Sequence, residues 1–507
     1  MKTLIIGIFC LSNMTTGLFA VSEKDIVKIT MEGYAESKKG NQDKAHDLYL
    51  KALQGARKRD WPTYNESKRQ KALQECIEKH GYDWKGTEEQ KILGLMQVYG
   101  SVKNYFAGFG IVPELNWDEL VIQYMPQVID AKSEEEYYKL LRIVIARLSD
   151  NHTSIWPPKD LRDKRSQTKI TIEFLENKFI VTKIEDIPEI REQNIRPGLE
   201  IRKVEGIPAD KYFKEYVSPY LALSKVQREN FYRTSNLLDG EVNTKVKATM
   251  ADLSGEEREV VLTRSPAMND SKDQLPAIEV KELDSGIVYF NLRSFQPTDT
   301  ADQKFEIEFN RLDLSKIKGM IFDVRENGGG NSVVGDVVIS HLIDTPSNAW
   351  LFKARKSGLF KVNPFILAKA YIWLTSMNNE WYEVKHTIKP SKGKHFTGPV
   401  VVLISRYTGS AAEDFTAAIK ECKRATIIGE TTSGGTGNGL WSILPGYGLL
   451  RVCVNIGAYV NSRIWQGVGI KPDIAVSKTV EDVYNEHDPV LAKGIEVLNQ
   501  QMTKDIK

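Results

Sequence analysis

The chain has 507 residues, too many for one hydrophobic core, and this length predicts about three domains. Its 69 basic and 67 acidic residues nearly balance, which excludes the strongly basic surface typical of nucleic-acid-binding proteins. Apolar residues are plentiful and no segment is of low complexity, so a folded globular protein is expected.

Residues 1–20 have the layout of a cleaved secretory signal peptide. Lys2 precedes a short apolar run over 4–11, and the stretch closes at Ala20 before charged residues. A buried N-terminal strand is the alternative interpretation. No other segment approaches the roughly 20 apolar residues that a spanning helix needs. We therefore expect an exported protein, periplasmic or extracellular, whose mature chain does not span a membrane.

Cysteine and histidine usage gives no indication of a cofactor. Beyond residue 20 three cysteines remain, an odd number that implies no disulfide framework. The seven histidines include no pair at metal-ligand spacing. We expect neither a metal nor an organic cofactor.

The first structured region, residues 21–157, has apolar residues at helical spacing and predicts an N-terminal helical domain. Residues 40–53 resemble part of a tetratricopeptide unit, but no second copy follows, so a lone helical hairpin packed on the next domain is expected. The region ends at the motif Asp150-Asn151-His152 and at the prolines that follow it.

Residues 168–275 change to a two-residue period and predict a small β domain. A tight turn at Glu176 and Asn177 is expected to join two strands into a hairpin. Residues 195–208, in which Gly198 and Gly206 bracket a short strand, loosely resemble a PDZ-type module. Such modules bind a peptide as an added strand at the edge of their sheet.

Residues 276–480 alternate between strands and helices, which indicates an α/β domain. Strands are predicted over 287–292, 319–324, 400–404 and 425–428. Each ends at polar or glycine-rich residues, where α/β folds hold their chemistry. The tail, 481–507, is predicted to form one amphipathic helix.

Ser410 is the first candidate for chemistry. It follows the strand over 400–404 by a short loop and precedes small residues that open a helix. A helix N-terminus offers free N–H groups and a partial positive charge to a developing oxyanion. On local pattern alone, the alternative that Ser410 is only an N-cap is favoured, because serine is common at that position.

A glycine triplet, residues 328–330, follows the strand over 319–324. It lets the backbone approach a ligand and turn N–H groups toward it. A phosphate loop is excluded because no Gly-Lys-Ser or Gly-Lys-Thr follows, and the glycine spacing is wrong for a dinucleotide fingerprint. A plain structural turn remains open.

His152 lies at a domain junction, far upstream of Ser410. A lone histidine is usually structural or exposed, but serine triads assemble in several chain orders, so a base from another layer is possible.

Four motifs taken together resemble the tail-specific, or C-terminal-processing, serine peptidases. They occupy residues 323–330, 409–413, 428–432 and 467–474, and the resemblance spans roughly 278–476. It implies a crotonase/ClpP-like catalytic domain with Ser410 as nucleophile. It also implies an oxyanion hole built from the N–H of Ala411 and that of Gly328 or Gly329.

This family has two catalytic styles, and the sequence is closer to the branch that resembles the tricorn core. The lysine of the Ser-Lys branch is missing from residues 432–437, whereas Asp150-Asn151-His152 matches the Asp-x-His motif of the Ser-His branch. His152 is therefore implied as the base. Where that branch has a glutamate, this chain has Gln466, and Glu413 or Asp150 is considered as a substitute carboxylate.

The resemblance implies an endopeptidase or C-terminal-processing peptidase that acts on exported or unfolded polypeptides. A catalytically weak or inactive peptide-binding scaffold is the main alternative, motivated by Gln466 and by the loose PDZ match. A hydratase or thioesterase of the related crotonase-like fold is less favoured, because an exported protein has little access to coenzyme A. The sequence does not indicate an oligomeric state.

Overall fold

The computed structural model describes residues 21–59, 61–79, 82–229, 234–265, 275–296, 300–356 and 381–504. The predicted signal segment, residues 1–20, lies outside the described residues. The fold is mixed α/β, with helices at the N-terminus followed by several sheets.

The N-terminal region is helical, as the sequence predicts. Its helices are α1 Glu23–Lys38, α2 Gln42–Lys58, α3 Glu66–Lys79, α4 Glu88–Tyr105, α5 Trp117–Asp130 and α6 Glu134–Ala146, with a 3₁₀ turn at Gly108–Ile111. Ser22, Thr87, Asn116 and Ser133 cap α1, α4, α5 and α6 through their side chains. The apolar faces of α1, α2, α4, α5 and α6 share one core with a β-hairpin of the α/β region, which includes Leu440 and Leu450.

The next region is a small antiparallel sheet with its own core. Its strands are β2 Arg165–Ser166, β3 Ile170–Leu175, β4 Lys178–Ile184, β5 Glu200–Val204, β6 Ile207–Pro208, β7 Gly240–Glu241, β8 Lys245–Ala251 and β9 Glu257–Thr263; β1 Ser154–Trp156 precedes them. The main strands pair in the order β3-β4-β5-β8-β9. The predicted hairpin turn is present, and Glu176 and Asn177 both have positive φ, 49° and 63°.

Short helices complete this region. They are α7 Lys159–Asp163, α8 Pro188–Glu192, α9 Ala209–Tyr212 and α10 Lys225–Glu229, with single turns at Phe213–Val217, Ser218–Tyr220 and Thr234–Leu238. Ser224, just before α10, donates its hydroxyl to the carbonyl of Ser433 at 2.6 Å. The small sheet is therefore tied directly to the loop that contains Ser433, in the α/β region that follows.

The α/β region predicted over 276–480 is built on a six-stranded sheet in the order β10-β11-β12-β15-β16-β20. Its strands are β10 Ile278–Leu283, β11 Ile287–Leu292, β12 Gly319–Asp323, β15 Val400–Ile404, β16 Thr426–Gly429 and β20 Ile474–Ala475. All pairs are parallel except β10 with β11. Helices α11 Ala301–Arg311, α12 Ser332–Ser340 and α13 Ala411–Glu421 cover one face. The predicted parallel strands are confirmed to within one residue at either end.

Two further antiparallel sheets were not predicted from the sequence. One contains β13 Ser347–Arg355, β14 Trp381–Ile388 and β19 Asn455–Ala458, and the other contains β1, β17 Gly439–Ile443 and β18 Leu449–Cys453. In the second, Ser154 of β1 lies opposite Arg451 of β18. This pairing joins the end of the helical region to the α/β region.

The tail differs from the predicted single helix. It forms α14 Val480–Tyr484 and α15 Pro489–Lys504. Glu486 adopts a left-handed φ of 54°, which ends α14. Asp488 then accepts the N–H of Leu491 at 3.0 Å and pairs with Arg325 at 2.7 Å, so a new helix starts at Pro489.

Candidate active site

Ser410 lies at the carboxyl end of the parallel sheet, six residues after β15 ends at Ile404. It precedes α13 with φ 53° and ψ −125°, and its side chain makes no capping hydrogen bond. Instead, Oγ of Ser410 lies 3.0 Å from Nε2 of His152. The hydroxyl therefore faces an imidazole from a different region of the chain.

His152 reaches this position because strand β1, which begins two residues after it, pairs with β18. Thr153 strengthens the junction, since its hydroxyl accepts the N–H of Cys453 at 3.0 Å. The imidazole is buried, and burial together with the positive charge of Arg451 holds the pKa of His152 well below its usual value. The ring is thus neutral at neutral pH, the state in which it can accept a proton.

The far nitrogen of the imidazole faces an amide. Nδ1 of His152 lies 2.9 Å from Oδ1 of Asn151. Gln466, which the family pattern puts at the acidic position, makes other contacts: its Nε2 donates to Asp150 at 2.9 Å and its Oε1 accepts the N–H of Thr436 at 3.0 Å. Within the described residues, Gln466 has no hydrogen bond to the imidazole.

The two acidic residues considered as substitutes are also engaged elsewhere. Glu413 is fully buried and accepts hydrogen bonds from the hydroxyls of Thr432 and Ser433 and from the backbone N–H groups of Gly434 and Gly435. Burial raises the pKa of Glu413 to about 7, although these bonds oppose the shift. Asp150 is buried as well, and burial raises its pKa.

The glycine-rich loop after β12 packs against Ser410. A Cβ on Gly329, whose φ is 108°, would lie 2.5 Å from Cβ of Ser410, so only glycine fits there. The N–H of Gly329 already donates to Oδ1 of Asn327 at 2.9 Å. In the described part of the chain, the N–H groups of Gly328 and Ala411 donate to no protein acceptor. These two amides are the ones available to an oxyanion.

Sequence reasoning singled out Ser410, His152 and the glycine loop, and the structure brings them together. It did not identify Asn151 as a partner of the imidazole. The only signal for Asn151 in the sequence was its position next to His152. The direction of its amide side chain depends on the β1–β18 pairing and on the loop around Gly435, which the sequence does not show.

Two other features of the described residues bear on the site. No group of three or more histidine, cysteine or acidic side chains there could hold a metal ion. Within the same ranges, every helix is too short or too polar to cross a bilayer.

Comparison by sequence finds relatives of the α/β region. Residues 286–476 match Peptidase family S41. The chain is 35% identical over 98 residues to a carboxy-terminal-processing protease of Bartonella bacilliformis. The aligned stretch covers 19% of this chain and 22% of that protein. The chain is 23% identical over 295 residues to a tail-specific protease of Haemophilus influenzae. The aligned stretch covers 57% of this chain and 37% of that protein. The chain thus matches well under half the length of these relatives.

Comparison by structure extends the likeness beyond the α/β region. The structure of mature CPAF complexed with lactacystin superposes with a TM-score of 0.63 at 15% identity, over 82% of this chain and 99% of that one. A second crystal structure of mature CPAF gives 0.62 at 15% identity, over 82% and 98%. At this identity the likeness shows a shared fold. The sequence matches support a serine peptidase, and the similarity to Peptidase family S41 covers residues 286–476 of this chain.

Proposed function

We propose that this chain is a serine-type peptidase of the Ser-His branch, with Ser410 as nucleophile and His152 as general base. The 3.0 Å distance between Oγ of Ser410 and Nε2 of His152 carries the proposal. It lies within the reach at which a base can take a hydroxyl proton. A lysine base is not favoured, because residues 432–437 contain no lysine.

The chemistry follows the acyl-enzyme route. Nε2 of His152 accepts the hydroxyl proton while Oγ of Ser410 bonds to the scissile carbonyl carbon. The N–H groups of Ala411 and Gly328 stabilise the oxyanion that forms. The imidazolium then gives its Nε2 proton to the leaving amine as the C–N bond breaks, and a water molecule repeats the sequence to release the acid and restore Ser410.

The substrate class and location belong to the same proposal. We propose endopeptidase or C-terminal-processing activity on exported or unfolded polypeptides, outside the cytoplasm. The names of the two sequence relatives and the signal-like residues 1–20 support this assignment. We also propose that residues 168–275 form a PDZ-like domain and that the catalytic domain is crotonase/ClpP-like.

The test is cleavage of casein and of extended peptides by the wild type, Ser410→Ala and His152→Ala. Each substitution is expected to lower kcat/KM by about 10³-fold or more, since the members of a serine triad act as a unit. The matched controls are Ser254→Ala, in an exposed hairpin turn, and His46→Ala, a half-buried residue of α2 that pairs with Glu119 far from the site; both should cleave like the wild type. Undiminished cleavage by Ser410→Ala would end the proposal.

Labelling of Ser410 with a fluorophosphonate separates the active enzyme from an inactive peptide-binding relative. We expect wild-type protein to be labelled and His152→Ala to be labelled far more slowly. A wild type that binds extended peptides but is neither labelled nor active would favour the scaffold. A lysine base would leave His152→Ala nearly as active as the wild type.

A further inference from the structure

We propose that Asn151 is the residue that orients the His152 imidazole, in the position where a triad usually has a carboxylate. The inference rests on the proposed function. Its basis is the 2.9 Å contact between Oδ1 of Asn151 and Nδ1 of His152, which leaves Nε2 facing Ser410. The two ring nitrogens have no other hydrogen-bond partner among the described residues.

The carboxylates around the imidazole do not compete with this amide. Oδ1 of Asp150 accepts from Gln466, and its Oδ2 is buried without a partner. Both oxygens of Glu413 are used by residues 432–435. Asp414 accepts the hydroxyls of Ser332 and Thr436 at 2.7 and 2.9 Å. None of the three has a hydrogen bond to a ring nitrogen of His152, whose partners among the described residues are Asn151 and Ser410.

The amide of Asn151 is held in position by a glycine that also holds the nucleophile. A Cβ on Gly435 would lie 1.7 Å from Oδ1 and 2.4 Å from Nδ2 of Asn151, so the amide packs directly on this residue. The carbonyl of Gly435 accepts the N–H of Ser410 at 2.8 Å, and its own N–H donates to Glu413 at 2.7 Å. Glu413 thereby fixes the one residue against which Asn151 and Ser410 both rest.

The consequence concerns which ring nitrogen carries the proton. An amide oxygen can only accept, so it selects the tautomer with a proton on Nδ1 and leaves a lone pair on Nε2 for the Ser410 hydroxyl. Cys-His-Asn sites use an amide in this way on an unrelated fold. Unlike a carboxylate, the amide adds no negative charge, so it orients the ring without raising its basicity by charge.

Gln466 gains a different role in this arrangement. By bridging Asp150 and the N–H of Thr436, it connects the residue before Asn151 to the loop that contains Gly435. It is a second positioning residue, one step removed from the imidazole.

The experiment compares Asn151→Ala and Asn151→Asp with the wild type by kcat, KM and the pH profile of kcat/KM. Asn151→Ala should lower kcat by about 10²–10⁴-fold with little change in KM, because the tautomer is no longer selected. Asn151→Asp supplies an acceptor of the same shape with a negative charge. It should retain far more activity than the alanine variant and move the acid limb of the profile upward by about 1 pH unit or more.

The controls are Asn310→Ala and Asn310→Asp on the exposed side of α11, which should leave both kcat and the pH profile unchanged. A purely structural role for Asn151 predicts that the aspartate variant keeps the wild-type acid limb, and that result would overturn the proposal. A wild-type kcat in Asn151→Ala would also overturn the proposed role of Asn151. The proposed function would survive that result if Ser410→Ala remained inactive. A wild type that neither cleaves nor reacts with a fluorophosphonate would remove both.

Discussion

The backbone of Ser410 is in a conformation that few residues other than glycine adopt, with φ 53° and ψ −125°. Such a conformation costs on the order of 1–3 kcal/mol and persists only where surrounding contacts impose it. Here the N–H of Ser410 donates to Gly435 and the N–H of Gly409 donates to the carbonyl of Asn327. The strain turns the hydroxyl out of the capping direction and toward His152.

Arg451 provides a prediction about pH dependence. Burial is the main cause of the lowered pKa of His152, and the positive charge of Arg451 lowers it further. Arg451→Met removes that charge, so the pKa of His152 should rise. Because kcat/KM requires the neutral imidazole, the acid limb of its pH profile should move to higher pH, and activity should fall more at pH 5 than at pH 8.

The control for this change is Arg69→Met. Arg69 and Arg451 both lie over the ring of Trp441, at 4.4 and 5.8 Å from its centroid, but Arg69 does not contribute to the pKa shift of His152. Its variant should keep the wild-type acid limb. A profile that shifts equally in both variants would assign the effect to the aromatic contact instead of the charge.

At the residue scale, Ser410 and His152 could be predicted because motif spacing identifies them. The role of Asn151 could not be predicted, because it depends on contacts with Gly435, which is more than 280 residues away in the chain. The expected position of Gln466 against the imidazole came from the family pattern. That pattern did not anticipate that the amide of Gln466 would donate a hydrogen bond to Asp150 at 2.9 Å.

At the scale of elements, the first turn of α13 buries two carboxylates. Burial raises the pKa of Glu413 to about 7 and that of Asp414 to about 6. A carboxyl whose pKa is higher in the folded than in the unfolded state binds its proton more tightly when folded. Its contribution to stability is therefore largest at low pH and is lost as the pH rises from its unfolded pKa to its folded one.

Glu413→Gln should remove the part of this pH dependence that belongs to Glu413, which falls between about pH 4.5 and 7. It should also destabilise the protein at every pH, because each Glu413 oxygen accepts a backbone N–H, from Gly434 or Gly435, and the new NH₂ must face one of them. An unsatisfied buried group costs about 1–3 kcal/mol. The measurement is the unfolding midpoint from pH 4 to 8.

Glu282→Gln, on the exposed edge strand β10, is the matched control and should reproduce the wild-type curve. If Glu413→Gln keeps the wild-type slope between pH 4.5 and 7, then Glu413 does not titrate in this range. The same variant should cleave more slowly, because the loop that it anchors contacts both Ser410 and Asn151.

Elements were predictable where one signal dominated. The hairpin at Glu176 and Asn177 and the parallel strands follow from turn residues and continuous apolar runs. Strands β17 and β19 were missed because nearly all of their residues are buried and their burial shows no two-residue alternation. The break between α14 and α15 was missed because it depends on the ion pair between Asp488 and Arg325.

At the scale of the whole molecule, three regions converge on one loop. The helical region supplies His152 through β1, and the small sheet contacts the loop through Ser224. The six-stranded sheet supplies Ser410 at its carboxyl edge. Catalysis therefore depends on the sheet holding its shape, and helix α15, packed on the face opposite α11, α12 and α13, contributes to that.

Leu498 is the residue that tests this dependence. It is fully buried under the sheet beside Ile321 and Leu403, and a Cβ on Gly319 would lie 3.2 Å from its Cδ1. Leu498→Ala leaves a cavity that this rigid contact cannot close, and such changes cost about 2–5 kcal/mol. Its unfolding midpoint in urea should fall, whereas Asn499→Ala, exposed on the same helix, should leave it unchanged. Because Leu498 contacts no residue of the site, kcat should survive at temperatures where the variant stays folded. Equal midpoints in the two variants would mean that α15 does not support the sheet.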